Sequence, residues 1–343
     1  MYDTANLALI SPQGEKLWGE EGVTVSTSSQ AVVGVVANVT PSGTVVTWMD
    51  ENDSTLHYQK VDDAGTLMWG SGGLIYEPSA LLPRSATIGA YTTTTTSDGA
   101  TMIAFATYEG GSGLGAGDTY LMRVEPDGTS TWGAHPIRIN TDGTTTVPMN
   151  TTIALAADDA GGVVLAWEQV IGNGTVAMMQ RINQDGTAVF ADPVVSVAPE
   201  FGGEQPEGMI LQFASDSQET TILTSMNGTG ARVVTNRVSA TGDLLWGDGV
   251  VLQDNGESNT SALLPLGDDL VAAWVTPTNE IVAQRLTPAG DLVWDEPAVL
   301  TSRTDMKLDL QGAVDTAGTQ FVYLWDNDGE TIAQNLNLDG TLG

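Results

Sequence analysis

The chain has 343 residues, 41% of them hydrophobic, no cysteine, and 43 acidic against 11 basic side chains, for a formal charge of −32. That balance excludes nucleic acids and anionic membrane surfaces as partners, since both are held by a basic footprint. The missing thiols exclude disulfides, thiolate metal sites and cysteine nucleophiles.

No stretch approaches the ~18 consecutive apolar residues of a membrane span. The first residues lack a charged region followed by an apolar one, so no signal peptide is expected in this chain. A surface this acidic repels itself and stays soluble. With only three lysines, Lys16, Lys60 and Lys307, it leans towards a halophilic or marine source. Six Asn-X-Ser/Thr sequons, at Asn38, Asn52, Asn150, Asn173, Asn227 and Asn259, would lie on loops if the host glycosylates them.

A repeat sets the reading of the elements. Gly14, Gly65, Gly128, Gly186, Gly242, Gly290 and Gly340 recur 48 to 63 residues apart. Four residues after the first six stand Trp18, Trp69, Trp132, Phe190, Trp246 and Trp294; five residues before the last six stand Lys60, Arg123, Arg181, Arg237, Arg285 and Asn335. In chain order, Leu7 to Gly14 reads as a third strand and Lys16 to Val25 as a fourth. The unit 27–77 carries strands near Ala31–Ala37, Thr44–Met49, Leu56–Val61 and Leu67–Tyr76. The unit 78–140 carries them near Ala86–Tyr91, Thr101–Thr107, Thr119–Val124 and Thr131–Ile139, with a Gly-rich loop from Gly110 to Gly117. The unit 141–198 has Thr152–Ala157, Val163–Glu168, Val176–Ile182 and Ala188–Val197. The unit 199–254 has Met209–Ala214, Thr220–Ser225, Arg232–Val238 and Leu244–Leu252. The unit 255–302 has Ala262–Leu266, Leu270–Val275, Ile281–Leu286 and Leu292–Leu300. The last, 303–343, has Leu308–Val314, Gln320–Trp325 and Thr331–Leu336 only. The second strand Val163–Glu168 is a near-continuous apolar run, the mark of burial on both faces. Four of the second strands hold a tryptophan, Trp48, Trp167, Trp274 and Trp325, with Phe105 and Ser225 in that column elsewhere. The two aromatic columns account for all nine tryptophans, leaving none as an unexplained stacking platform.

These elements predict an all-β chain: a six-bladed β-propeller of four-stranded antiparallel blades, one domain over 1–343. The N-terminal strand is expected to complete the last blade and close the ring, which removes sheet edges. The wedge between neighbouring blades is expected to be filled by the tryptophans. The column glycines are expected at positive φ, and the column arginines on a neighbouring carbonyl or carboxylate.

The stretch Asp62-Asp63-Ala64-Gly65-Thr66-Leu67-Met68-Trp69 resembles the tryptophan-docking motif of quinoprotein-like propellers, although those have a shorter period. Asp159 to Val197 and Ala283 to Leu300 are similar to degenerate β-propeller repeats of large secreted or cell-surface bacterial proteins, of the Bacteroidetes and planctomycete type. That resemblance covers nearly the whole chain. It implies a secreted or cell-surface location and little chemistry.

Candidate chemistry is sparse. His57 and His135 fall in different repeats and share no motif. The arginines outside the column, Arg84, Arg138, Arg232 and Arg303, are spread over several units. Clustered oxygen ligands follow the second strand in two units, at Asp50 and Asp53 and at Asp326, Asp328 and Glu330, and suit calcium. Neither loop completes an EF-hand. Calcium is therefore the one cofactor considered. The run Thr92 to Thr96 and the Gly110 to Gly117 loop depart from the repeat, and such departures are where a binding face is built. The expected function is a non-enzymatic propeller mediating protein, glycan or filament contacts. The alternatives are a lectin with exposed Tyr91, Tyr108 or Phe201, and a polysaccharide-active glycosidase or lyase with paired carboxylates.

Overall fold

The structure, a computed structural model, describes residues 4–11, 13–26, 32–50, 55–76, 87–108, 117–133, 135–139, 152–158, 160–171, 174–197, 208–215, 219–227, 232–254, 258, 260–303, 307–315, 320–327 and 330–343. Among these residues every regular element is a β-strand. The chain divides into two compact units. One comprises Met1–Met149, Ala157–Val163 and Ile182–Thr187; the other comprises Asn150–Ala156, Val164–Arg181 and Ala188–Gly343.

The strands form successive antiparallel sheets, each made of consecutive chain segments. A two-stranded pair comes first, β1 (Asn6–Leu7) with β2 (Val23–Thr24). The first sheet is β3 (Val32–Thr40), β4 (Gly43–Asp50), β5 (Leu56–Val61) and β6 (Leu74–Tyr76). The second is β7 (Thr87–Thr95), β8 (Thr101–Tyr108), β9 (Gly117–Val124) and β10 (Ile137–Arg138). The third is β11 (Ile153–Ala157), β12 (Val163–Ile171), β13 (Gly174–Ile182) and β14 (Val194–Val197). The fourth is β15 (Gly208–Ser215), β16 (Glu219–Asn227), β17 (Val233–Ser239) and β18 (Val250–Gln253). The fifth is β19 (Ser261–Leu266), β20 (Asp269–Val275), β21 (Ile281–Leu286) and β22 (Ala298–Thr301). The sixth has three strands, β23 (Lys307–Val314), β24 (Gln320–Asn327) and β25 (Glu330–Asn337). The apolar second strands are buried, with Trp48, Phe105, Trp167, Trp274 and Trp325 all at most 2% exposed.

Two features differ from the sequence reading. The N-terminal strand was expected to complete the last sheet; its observed partner is β1, through Asn6 with Thr24 and Leu7 with Val23. The N-terminal segment therefore supplies a third and a fourth strand together. The second difference concerns the fourth strands, which were read as continuous from the turn. Instead a single residue bridges back (Leu67 to Val61, Leu244 to Val238, Leu292 to Leu286), a loop carrying the aromatic follows, and the strand resumes later.

A column of side-chain amides explains that loop. Gln59 Nε2 donates to Gly70 O at 2.6 Å while its Oε1 accepts from Trp69 N at 3.0 Å. Gln180 does the same with both backbone groups of Phe190, at 3.1 and 3.0 Å. Gln284 does so with those of Trp294, at 3.0 and 3.3 Å. The shorter Asn236 donates to Gly247 O, at 3.0 Å. These amides satisfy backbone groups that a strand would otherwise pair, as burial demands.

Freed from the ladder, each aromatic reaches the turn of the following repeat. Trp18 Nε1 donates to Asp63 O, Trp132 to Gln184 O and Trp246 to Pro288 O, each at 3.0 Å, and Trp294 donates to Leu338 O at 3.2 Å. The acceptor is always two residues before the column glycine. Those glycines sit at φ between 83° and 95°, a region that side chains resist. A Cβ would also approach the docked ring, to 3.1 Å at both Gly186 and Gly290. Lys60, Arg123 and Arg285 of the basic column reach across the same junctions. Arg285 donates to Leu338 O at 3.2 Å and to Asp269 at 2.8 Å. Arg123 donates to Gly161 O at 3.0 Å and pairs with Asp98 and Glu125. Arg237 pairs with Glu219.

Candidate functional site

Against this regular pattern, four departures meet where the first and second sheets face each other. Trp69 packs over Gly128, but its indole N–H has no partner. The carbonyl it would use, Pro126 O, is taken at 3.0 Å by Lys60 Nζ, which also donates to Ser42 Oγ at 2.7 Å. Met122 stands where other units have glutamine or asparagine, so the loop carrying Trp132 has no amide clip. Ser130, two residues after the column glycine, makes none of the backbone bridges that Lys16, Leu67, Leu244, Leu292 and Leu342 make among the described residues. The loop is held instead by Thr131 Oγ1 on Glu125, at 2.9 Å, and by the Trp132 dock. Finally, Tyr76 is 4% exposed and its hydroxyl has no hydrogen-bond partner in the protein.

Between these elements lies a cavity of about 170 Å³. One wall is Tyr58 of β5 with Ile75 and Tyr76 of β6. The other is Met122 of β9 and the loop from Ser130 to Pro136, including Trp132 and His135. Its floor belongs to the core shared by the two sheets, where Tyr76 packs on Phe105, at 5.4 Å between ring centroids, and Phe105 stacks on Tyr120. Ile75, Ser130 and His135 are exposed at the mouth. Burial raises the pKa of Tyr58 and that of Tyr76, the latter raised further by Tyr120 and Tyr58. Both phenols therefore stay protonated donors at neutral pH. Among the described residues, the wall contains no carboxylate, lysine or arginine.

The residues singled out in the sequence lie elsewhere. Asp50 closes β4, is 4% exposed and donates its backbone N–H to Thr55 O at 3.1 Å. Glu330 opens β25, exposed, with its backbone opposite Asn327. Asp326 pairs through its backbone with Thr331 in the same hairpin. The Asp326 side chain, Asp53 and Asp328 lie outside the described residues, as do Arg84, Phe201, the loop from Gly110 to Ala116 and the side chain of Tyr108. Among the described residues no group of three His, Asp or Glu is placed to hold a metal ion. Arg138 pairs with Asp118 at 2.6 Å and Arg232 with Asp254 at 2.8 Å, each within its own sheet. His57 stacks on Trp48 and bonds Thr55 Oγ1 at 2.9 Å. Tyr91, expected on an exposed rim, is half buried against Gly34, with its hydroxyl on Thr47 O at 3.0 Å. Asn38 of the first sequon is likewise tied to Thr93 Oγ1. The sequence reading missed Met122, Tyr58 and Tyr76. The signal available was the doublet Gln59-Lys60, Gln180-Arg181, Asn236-Arg237 and Gln284-Arg285, which Met122-Arg123 breaks.

No family model matches the sequence, and neither does any curated protein. Among solved structures, the chain is similar to the BP39L lectin of Burkholderia pseudomallei, with a TM-score of 0.61 and 14% identity over 94% of this chain and 85% of that one. It is similar to Sqt1 of Chaetomium thermophilum bound to the N-terminus of ribosomal protein L10, with a TM-score of 0.55 and 12% identity over 96% and 77%. It is also similar to the periplasmic gluconolactonase of Pseudomonas aeruginosa, with a TM-score of 0.50 and 14% identity over 98% and 90%. At these identities the likeness is one of fold. The chain is of the β-propeller type.

Proposed function

We propose that this protein is a non-enzymatic binding propeller, a single six-bladed domain acting outside the cell or on its surface, that contacts glycans or proteins through the pocket between its first and second sheets. The observation that carries this reading is the convergence of four departures from the repeat on one cavity. A repeat array builds its binding face where it abandons its own rules. The similar structures include a lectin and a protein bound to a peptide segment, which agrees with a recognition role on this fold. Cleavage of a polysaccharide would call for paired carboxylates. The pocket wall offers phenols, one imidazole and one hydroxyl.

The test is to restore the repeat. Met122→Gln would clip Trp132 N and Gly133 O as Gln59 clips Trp69 and Gly70, stiffening the pocket wall. Binding of the wild type and the variant is compared on a glycan array and on candidate surface proteins. The expected result is a signal at least about tenfold weaker, equivalent to ~1.4 kcal/mol, with no loss of thermal stability. Equal binding by the two proteins would sink the proposal.

Calcium belongs to the same proposal, held by Asp50 with Asp53 or by Asp326 with Asp328 and Glu330, the oxygen donors it favours. Unfolding is followed with calcium, magnesium or EDTA at matched ionic strength. A calcium-specific rise is expected, about 2.7 kcal/mol at one hundred times Kd, and lost in Glu330→Gln or Asp50→Asn. Identical midpoints would remove calcium from the account.

A further inference from the structure

We propose that the turns of the fourth and fifth sheets form a second interaction surface, which takes a cationic amphipathic segment of a partner protein. It is made of other residues than the pocket of the first and second sheets and does not rest on the reading of that pocket.

The starting point is a pair of positions in the repeat, two and three residues after the column glycine. What the fold takes from them is backbone. Leu245 N donates to Arg237 O at 2.7 Å and Val293 N to Arg285 O at 2.8 Å, while Leu244 and Leu292 bridge back to Val238 and Leu286. Other side chains serve there as well. Lys16 makes the same bridge, to Ile10, and in Ala188-Val189 the same bond runs from Val189 N to Arg181 O at 2.8 Å. The second sheet has Ser130-Thr131 in these places. Yet Leu244, Leu245, Leu292 and Val293 are large, apolar and 38% to 50% exposed. The turn itself does not demand them.

The two pairs belong together. Trp246, next to Leu245, donates to Pro288 O at 3.0 Å, and its ring comes within 3.1 Å of where a Cβ on Gly290 would stand. Gly290 lies two residues before Leu292. The docked ring therefore sets the two pairs side by side across one junction. Exposed apolar side chains gathered in this way mark a contact surface.

Charge names the occupant. Asp243, Asp248, Asp291, Asp295 and Glu296 are exposed in the same two stretches of chain. The nearby arginines are neutralised within their own sheets, Arg232 by Asp254, Arg237 by Glu219 and Arg285 by Asp269. Apolar side chains interleaved with carboxylates are the complement of a segment whose apolar residues are flanked by lysine or arginine. A second copy would bring its own carboxylates and a charge of −32, and an anionic lipid surface is repelled for the same reason.

The experiment follows the full chain by fluorescence anisotropy with three labelled peptides: an amphipathic peptide of leucine and lysine, its serine–lysine counterpart and its leucine–glutamate counterpart. The leucine–lysine peptide is expected to bind, each counterpart at least about tenfold more weakly, and added salt to weaken it. Leu245→Thr with Val293→Thr, which copies Thr131 of the second sheet, should lower the affinity about tenfold with little change in the unfolding midpoint, as at exposed sites. Asp295→Asn with Glu296→Gln should lower it too and reduce the salt dependence. Leu17→Thr with Met68→Thr, at comparably exposed positions of other turns, should leave it unchanged. Equal binding of the serine–lysine peptide would reduce the effect to the charge of the whole chain and overturn the proposal. Unchanged affinity in Leu245→Thr with Val293→Thr would do the same, as would an equal loss in the Leu17 and Met68 control. Self-association at high salt, abolished by Leu245→Thr with Val293→Thr, would give the surface to a second copy and overturn the cationic partner.

Discussion

Arg123→Ala is expected to cost about 3–5 kcal/mol of stability, the range for removing one member of a buried ion pair. Arg123 is 2% exposed and its guanidinium holds three partners: Asp98, Glu125 at 2.7 Å and Gly161 O at 3.0 Å. Its loss leaves the Gly161 carbonyl without this donor and two carboxylates without a counter-charge, although Thr96, Ala100 and Gln184 still bond Asp98 and Thr131 still bonds Glu125, and like charges then face each other. Arg123→Lys should recover only part of the loss, since an ammonium lacks the planar fork that spans these acceptors. Chemical denaturation of the three proteins measures the differences; a loss below about 1 kcal/mol in Arg123→Ala would show that the cluster is solvated rather than structural.

The same cluster sets an acid limit. Burial alone would raise the Asp98 carboxyl, but hydrogen bonds from Thr96 Oγ1, from Arg123 and from the Ala100 backbone outweigh it and hold the pKa below the ordinary value. A carboxylate depressed on folding contributes stability that is present above its unfolded pKa, ~3.9 for aspartate. That stability is lost as pH falls through the lower folded value. The contribution of Asp98 should therefore be intact at neutral pH and disappear below about pH 4. Asp98→Asn should flatten that part of the stability profile.

The second large effect separates the two tryptophan columns. Trp274→Ala is expected to cost about 3–5 kcal/mol, as for a buried aromatic cut to alanine. It is 2% exposed in the core shared by the fourth and fifth sheets and donates to Gln253 Oε1 at 2.8 Å. Trp246→Ala, partly exposed on its dock, should cost roughly half as much, since less surface leaves water there. Phenylalanine then isolates the hydrogen bond. Trp246→Phe forfeits the bond to Pro288 O and should lose about 1 kcal/mol beyond the change in ring size. Trp69→Phe should lose almost none of that increment, because the Trp69 N–H is already unbonded. Equal losses at the two positions would mean that the indole bond contributes nothing to docking.

Much of this architecture could be read from residue types alone, because its rules are local. The turn glycines announce themselves through spacing, and they stand at positive φ as such turns need. The basic column was expected on carbonyls and carboxylates, and Arg123, Arg237 and Arg285 reach them. The broken fourth strands were not legible. Continuity there is decided by side-chain amides at Gln59, Gln180 and Gln284 that compete with the ladder, and propensity does not register such competition. The pocket was half legible. Met122 interrupts a visible column, but the unpaired hydroxyl of Tyr76 depends on what surrounds it in space, and nothing in the order of residues encodes that. The N-terminal strand was assigned the wrong partner because pattern identifies a strand's rank in a sheet, whereas β1 sits close enough along the chain to claim β2 first.

The docking of each indole on the next turn also gives the chain a grammar. At four junctions one repeat ends in a plug, the aromatic, and the next contains a socket, the glycine turn whose carbonyl accepts the indole N–H. These four joints share one geometry, and each is made between neighbouring repeats. Such a chain can gain or lose whole units by duplication or deletion of a gene segment without redesigning a joint. Phe190, which fills its socket at Gly242 without a hydrogen bond, shows how loosely the rule can be obeyed. At the junction of Trp69 with Gly128 the ring is seated but its N–H is unbonded, because Lys60 holds the Pro126 carbonyl.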